Sequence, residues 1–109
     1  MNVRRTDDFI ADVERQYHWY LVEAGLEVAD HYLDSVHATC QLLARHPLLG
    51  PQGGFGHVRL RDWRFFLVLR PFKKHVLFYE ILSEEIVMRR AMHGHRDLQR
   101  RLLEPSGAD

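Results

Sequence analysis

The sequence predicts an α+β domain in which a short N-terminal strand and an α-helical hairpin pack on an antiparallel β-sheet meander, followed by a short C-terminal helix. Apolar residues recur at helical spacing as far as Pro47. After the proline- and glycine-rich segment 46–56, aromatic and β-branched residues typical of strands take over. Helices followed by strands are the pattern of a two-layer α+β domain. With 109 residues we expect a single domain over residues 1–109, frayed at residues 105–109.

The first half of the chain predicts one strand and two helices. Residues 3–5 form a short edge strand, and Thr6 or Asp7 caps a helix over about residues 7–23, which Gly25 ends. The apolar face of this helix carries Phe9, Ile10, Val13, Tyr17, Tyr20 and Leu21, with Asp12, Glu14 and Arg15 on the opposite side. A second apolar pattern runs from Val28 to Leu43. Because the link is so short, the helices must lie antiparallel as a hairpin.

The second half predicts the meander. Residues 58–69 form the first long strand, residues 70–74 a turn, and His75–Leu82, apolar on both faces, a central strand. Residues 83–85 form a hairpin turn and residues 86–93 the last strand. Residues 97–104 form the short closing helix.

Composition excludes several classes of protein. An apolar fraction of 46% and a charged fraction of 28% are those of a globular domain. No run approaches the roughly 20 apolar residues that cross a bilayer, and the first residues contain no apolar stretch like that of a secretory signal. The single cysteine, Cys40, excludes an internal disulfide and is expected to be a buried small hydrophobe. We therefore expect a cytoplasmic location and no membrane partner.

The charges are unevenly distributed although they sum to zero. Residues 1–50 contain four basic residues against eight acids, whereas residues 57–101 contain eleven Lys or Arg against five acids. Such asymmetry is compatible with an acidic partner, either nucleic acid or an acidic protein segment. Two solvated faces of opposite charge explain it equally well.

The stretch MRRAMHGHRDL, residues 88–98, concentrates Arg and His around Gly94 at the end of the last strand. A metal site is the weakest interpretation, because Gly94 separates His93 from His95 and neither Cys nor an H-x-x-x-H spacing supplies further ligands. In the structural interpretation Gly94 takes a positive φ, and Asp97 caps the closing helix. Arg96 then pairs with a carboxylate, and the polar edge of the His93 ring bonds to the loop.

Three segments together resemble the RelE/ParE toxin superfamily, and more closely its ParE branch. They are Leu42-Leu43-Ala44-Arg45-His46-Pro47-Leu48-Leu49-Gly50, Pro71-Phe72-Lys73-Lys74-His75-Val76-Leu77-Phe78-Tyr79-Glu80, and Ala91-Met92-His93-Gly94-His95-Arg96-Asp97-Leu98. Their order and spacing agree with the family over residues 2–103. The resemblance implies the toxin of a type II toxin–antitoxin pair, held in a hetero-oligomer by a ParD-like antitoxin.

The two branches of the superfamily imply different activities. A ParE-like toxin poisons DNA gyrase by binding, without covalent chemistry, cofactor or metal. A RelE-like toxin cuts mRNA on the ribosome, which requires a proton acceptor, a proton donor and a cation for the phosphorane. The residues from which such a site would have to be assembled are His93, His95, Arg96, Arg61 and Arg64, with Arg59 as a further phosphate ligand. The ParE interpretation is the first hypothesis; a domain of this fold that only binds its partner is a third.

Partner surfaces are indicated by residues that do not fit the apolar stripes. His18 and Trp19 fall off the stripe of the first helix, and an exposed Trp is typical of a binding surface. The apolar residues Trp63, Phe65 and Phe66 do not alternate cleanly, so either another chain covers some of them or a bulge at residues 62–63 buries both sets. We predict antitoxin contacts at Trp19, His18, Trp63 and Phe65. Arg96, Arg100 and Arg101 are the candidates for contact with the target.

Overall fold

The computed structural model describes residues 1–94 and 96–107, and its element order is the one predicted from the sequence. Strand β1 (Asn2–Arg5) precedes helices α1 (Asp7–Ala24) and α2 (Leu26–Arg45). Strands β2 (Arg64–Leu67), β3 (His75–Leu82) and β4 (Glu85–His93) follow, and helix α3 (Leu98–Leu103) closes the fold. The α+β prediction is confirmed.

The four strands form one sheet in the order β1-β4-β3-β2. β2, β3 and β4 are the antiparallel meander, and β1 joins the edge parallel to β4. The prediction of a strand over residues 58–69 was too long. Residues Val58–Leu60 form a 3₁₀ turn that buries Leu60, and the Trp63 amide donates to the Leu60 carbonyl at 3.1 Å, so the chain becomes extended only at Arg64.

The helix hairpin covers one face of the sheet. Thr6, the residue before α1, accepts a hydrogen bond on its hydroxyl from the Phe9 amide at 3.1 Å. Gly25, with a φ of 94°, lets the chain reverse directly into α2. The apolar stripes of both helices then meet the sheet in the main core, whose largest fully buried members include Phe9, Tyr32, Leu43, Leu77, Tyr79, Ile86 and Met88.

A register irregularity in β4 serves the same core. Tyr79 pairs with Met88 and Phe78 with Arg90, which leaves Arg89 without an opposite residue. Met88 and Ala91 therefore both pack in the main core, although they are three positions apart. At residues 62–63, where the sequence suggested a bulge, the chain instead leaves the 3₁₀ turn. The register irregularity of the sheet lies between β3 and β4.

The other face of the sheet has its own smaller core. Leu60, Val76, Phe78, Met92 and Leu102 are buried together there, under α3 and the 3₁₀ turn. β3 is consequently covered on both sides, as its continuous apolar sequence predicts.

The loop after α2 is fastened to β3 and protects the edge of β2. The Tyr79 hydroxyl donates to the Pro47 carbonyl at 2.6 Å and accepts from the Gly50 amide at 3.0 Å. The Phe65 amide donates to the Pro51 carbonyl at 3.1 Å. A side chain at position 50 would come within 2.5 Å of the Phe65 carbonyl oxygen, so this close approach requires glycine. Among the described residues, no helix has the length and apolar character to span a bilayer.

Candidate functional site

The first residue of β3 and the last residue of β4 place two histidines side by side. His75 and His93 are opposite each other in the antiparallel register, and their ring centroids are 4.8 Å apart in an edge-to-face arrangement. His75 is 3% exposed, whereas His93 is exposed. Within the described residues, the His93 ring contacts the His75 ring and makes none of the hydrogen bonds to the loop that the sequence predicts; His95 of that loop lies outside the described residues.

His75 sits among aromatic rings of the helix hairpin. Its Nε2 is 2.8 Å from the Tyr20 hydroxyl, and the Tyr32 ring lies 4.9 Å away between centroids. Burial, and secondarily the proximity of His93, lowers the pKa of His75 to about 4. Its Nδ1 is buried and has no hydrogen-bond partner among the described residues. At neutral pH the ring is therefore an uncharged part of the core and a poor proton acceptor.

A cavity of about 250 Å³ opens beside the two histidines, lined by Arg15, Gln16, Trp19, Tyr20, His75 and His93. Trp19 packs edge-to-face on Tyr20, with 5.2 Å between centroids, and is still 59% exposed. Trp19 thus leaves a large aromatic surface exposed at the rim of the cavity.

The turn after β4 is held by Arg101. Gly94 takes a φ of 82°, as predicted, and its amide donates to the Lys74 carbonyl at 2.9 Å. The Arg101 guanidinium donates to the carbonyls of Arg96 at 3.0 Å and His93 at 3.2 Å. Arg101 is therefore a half-buried clamp on the turn and less available for a target than the sequence implies.

Asp97 and Arg96 both depart from what the sequence predicts for this turn. Asp97 precedes α3 but does not cap it through its carboxylate, because its own φ of 52° directs the chain through a left-handed conformation and no side-chain cap bond forms. Its carbonyl instead accepts from the Arg101 amide at 3.0 Å. Arg96 is exposed and, within the described residues, makes no ion pair with a carboxylate. Arg100 lies on the exposed side of α3 and pairs with Glu104 at 2.8 Å.

A buried ion pair connects α1 to β4, and sequence analysis assigned one of its members to the wrong side. Asp12 was placed on the polar face of α1 but is 0% exposed. Its Oδ2 accepts from Arg90 Nε at 2.7 Å and from the Ala91 amide at 3.0 Å, and Arg90 is itself 4% exposed. Although burial acts to raise the pKa of Asp12, hydrogen bonds from Arg90, Ser106 and Ala91 hold it below the usual value.

This ion pair also fastens the C-terminal segment. Arg90 Nη1 donates to the carbonyls of Arg101 at 3.2 Å and Glu104 at 2.5 Å, and the Ser106 hydroxyl donates to Asp12 at 2.6 Å. The signal in the sequence is that Asp12 lies three residues after Phe9 and next to Val13, on the buried stripe. Its partner, 78 positions away, has no local signature.

Among the described residues, those considered for RNA cleavage are not brought together in one site. In the sheet register Arg64 is opposite Tyr79, and His93 is opposite His75. Tyr79 and His75 are four positions apart on β3, so Arg64 and His93 are separated by about 13 Å along the strand direction. The Arg64 guanidinium is already bonded to the Gly50 carbonyl at 2.7 Å. Arg61 lies directly after the 3₁₀ turn, three residues before β2 begins. His95 lies outside the described residues.

The predicted antitoxin contacts fall on two surfaces. His18 and Trp19 are exposed on α1, whereas Trp63 and Phe65 are half-buried against the smaller core. Trp63 and Phe65 thus have packing partners in their own chain, which explains the irregular apolar pattern of residues 58–69.

Metal and thiol chemistry find little support in this geometry. Residues 1–94 and 96–107 contain no group of three or more His, Cys, Asp or Glu placed to hold a metal ion. Cys40 is buried, as predicted, and burial raises the pKa of its thiol to about 11.

Comparisons with known proteins give one family and one fold. The family model for the ParE toxin of the parDE type II toxin–antitoxin system matches residues 3–98. A structure of the chromosomal ParDE toxin–antitoxin system from P. aeruginosa superposes with a TM-score of 0.71 at 18% identity, covering 87% of this chain and 97% of that chain. No curated protein matches the sequence.

Proposed function

Because the chain belongs to the ParE toxin family of type II toxin–antitoxin systems, we propose that it acts by binding DNA gyrase and is neutralised by a ParD-like antitoxin. The observation that carries this proposal is the family match over residues 3–98. The toxin and its antitoxin form a hetero-oligomer in the cytoplasm, and the toxin uses no cofactor.

Binding explains the geometry of the terminal motif better than catalysis does. An RNase needs an acid and a base near the same phosphate, but Arg64 is bonded to the Gly50 carbonyl and lies about 13 Å along the strand from His93. These positions favour binding over mRNA cleavage. The motif instead ends a strand, reverses the chain and holds α3.

Gyrase inhibition can be tested directly with purified toxin. We expect inhibition of plasmid supercoiling and accumulation of cleaved DNA trapped on gyrase, both abolished when the toxin is premixed with its antitoxin. Unchanged supercoiling in a reaction where ribosome-bound transcripts are cut would contradict the proposal and favour the endonuclease.

We propose that the antitoxin covers the surface formed by His18 and Trp19. A large aromatic side chain with this exposure is the type of residue that dominates binding energies. Trp19→Ala should weaken the complex with the antitoxin by about 30-fold, corresponding to roughly 2 kcal/mol. Isothermal titration calorimetry measures this loss.

Val58→Ala is the matched control, because Val58 is also an exposed apolar residue but lies on the 3₁₀ turn, which packs on the opposite face of the sheet from the helix hairpin. Its affinity for the antitoxin should equal that of the wild type. Equal affinities for the Trp19→Ala and wild-type toxins would assign antitoxin binding to another surface.

A further inference from the structure

Two turns meet at one end of the sheet and carry four basic side chains. The hydrogen bond from the Gly94 amide to the Lys74 carbonyl, 2.9 Å long, joins the turn between β2 and β3 to the segment after β4. We call this region the basic end and define it by Arg70, Lys73, Lys74 and Arg96. All four residues are exposed.

The positive charges of the basic end are not neutralised by the chain itself. None of its four residues forms an ion pair within the described part of the chain. Asp97 is the one acidic residue in segments 70–75 and 93–101. The Arg101 guanidinium adds to the potential, because its hydrogen bonds to the Arg96 and His93 carbonyls leave its charge unpaired.

We propose that the basic end binds the phosphodiester backbone of double-stranded DNA. The choice of DNA as the polyanion rests on the proposed function. Gyrase acts on a DNA duplex, and a toxin bound to gyrase would lie beside that duplex. The kind of side chain favours nucleic acid over an acidic protein, because Lys is depleted from protein–protein interfaces. Phosphates, in contrast, are contacted by Lys, Arg and the backbone amides of turns.

The number of cations sets the expected salt dependence. Four phosphate contacts predict that log K falls with log[salt] with a slope of about −3.6. Affinity should therefore fall about 150-fold between about 50 and about 200 mM NaCl. Binding is expected to be independent of DNA sequence, because phosphate contacts carry no sequence information.

The test measures fluorescence anisotropy of a short labelled DNA duplex titrated with the purified toxin, without gyrase. The variant Lys73→Gln/Lys74→Gln should halve the slope to about −1.8, so that the same salt increase costs only about 12-fold. The side chains of both residues are exposed, and the hydrogen bond to Gly94 uses the Lys74 backbone, so the variant should remain folded by circular dichroism.

Arg4→Gln is the matched control, because Arg4 is an exposed cation that pairs with Glu85 at the opposite end of the sheet. Its salt slope should equal that of the wild type. Failure of the wild-type toxin to bind the duplex at low salt, or equal slopes for the double variant and the wild type, would overturn the proposal. Binding of an oligoglutamate peptide in place of the duplex would overturn it in favour of an acidic protein partner.

The outcome of this test can be distinguished from the outcome of the gyrase test. Duplex binding with unaffected supercoiling would leave the basic end as a DNA site and refute the gyrase target. Inhibited supercoiling with no duplex binding would do the reverse.

Discussion

The two ends of the β3–β4 hairpin differ in how completely their polar groups are satisfied. Away from the basic end, basic side chains are paired with acids of the same chain: Arg89 bonds to Glu80 near the middle of the hairpin, and Arg4 bonds to Glu85 beside its turn. At the basic end, the exposed cations have no such acids within the described residues, and His75 keeps an unpartnered nitrogen. A satisfied end needs no partner, whereas an unsatisfied one presents charge that another molecule can neutralise.

The difference is possible because the four exposed cations of the basic end belong to neither core. The main core is built from the helix hairpin and the helix-facing residues of the sheet, and the buried ion pair lies between α1 and β4. We therefore expect substitutions to separate into those that unfold the chain and those that change only one end.

The largest effect should come from the buried Asp12–Arg90 ion pair, which connects α1 to β4. Arg90→Ala leaves the Asp12 carboxylate buried without its partner and removes the bonds to the Arg101 and Glu104 carbonyls. Breaking a buried pair in this way should cost about 3–5 kcal/mol of unfolding free energy, measured by urea denaturation. A matched control is Arg15→Ala, which removes an exposed partner of the same Asp12 and should cost about 1 kcal/mol or less.

The same pair predicts an acid limit for the fold. The pKa of Asp12 is lower in the folded chain than its usual value of 3.8. The unfolded chain therefore binds a proton first as pH falls, and the stability that Asp12 contributes is present above about pH 4 and lost below it. Equal losses of stability at low pH for wild type and Arg90→Ala would contradict this assignment.

The second effect comes from His75, which directly follows Lys74 of the basic end, and it has a different pH window. The pKa of His75 is about 4 in the folded chain, whereas an unperturbed histidine has a pKa of 6.5, so between these values only the unfolded chain is protonated. Stability should fall as pH decreases from about 6.5 to about 4, by up to about 3 kcal/mol. His75→Phe should remove this slope in denaturation curves measured across the range. The exposed His18 provides the control His18→Gln, which should retain it.

How much of this could be predicted from the sequence depends on whether a feature is local. The helix hairpin, the central strand covered on both faces and the glycine bend follow from periodicity and from single residues such as Gly25 and Gly94. The Asp12–Arg90 pair could not be predicted, because it joins positions 78 apart and depends on a register irregularity opposite Phe78 and Tyr79. The segment 58–69 was wrongly predicted to be one long strand. Its apolar residues Leu60 and Trp63 pack in the smaller core, Leu60 from the 3₁₀ turn and Trp63 from the residues after it, and do not pair in a strand.

The candidate site shows the same division. The cluster of Arg and His in residues 88–98 was visible as a pattern, but which of its members would be free was not. Just after the cluster, the Arg101 guanidinium is occupied by backbone carbonyls, and Asp97 within the stretch has a left-handed backbone without a side-chain cap bond. Lys73 and Lys74 belong to the same surface as Arg96, but they precede it by 23 and 22 residues, and only the folded chain brings the two turns together.

A third, smaller effect compares the backbone at the two ends. Gly94 has a φ of 82° at the basic end, and Ser83 has a φ of 55° in the turn at the other end. Gly94→Ala should cost about 1 kcal/mol from backbone strain alone, because an added Cβ at position 94 meets nothing within 4 Å. Thermal denaturation measures the loss. Ser83→Gly relieves the strain of its own turn but adds freedom to the unfolded chain, so its change should be closer to zero.

The smallest effect should come from the satisfied end. Arg4 pairs with Glu85 at 2.9 Å, but its side chain is 53% exposed, and water screens most of the attraction. Arg4→Gln should therefore change the unfolding free energy by less than about 1 kcal/mol, and raising the salt concentration should reduce the difference between the two proteins further. A loss of several kcal/mol in urea denaturation would mean that β1 depends on this pair for its place beside β4. In that case the stability of the fold would depend on the Arg4–Glu85 pair at the turn end of the hairpin. The two ends would then differ in their contribution to stability as well as in charge.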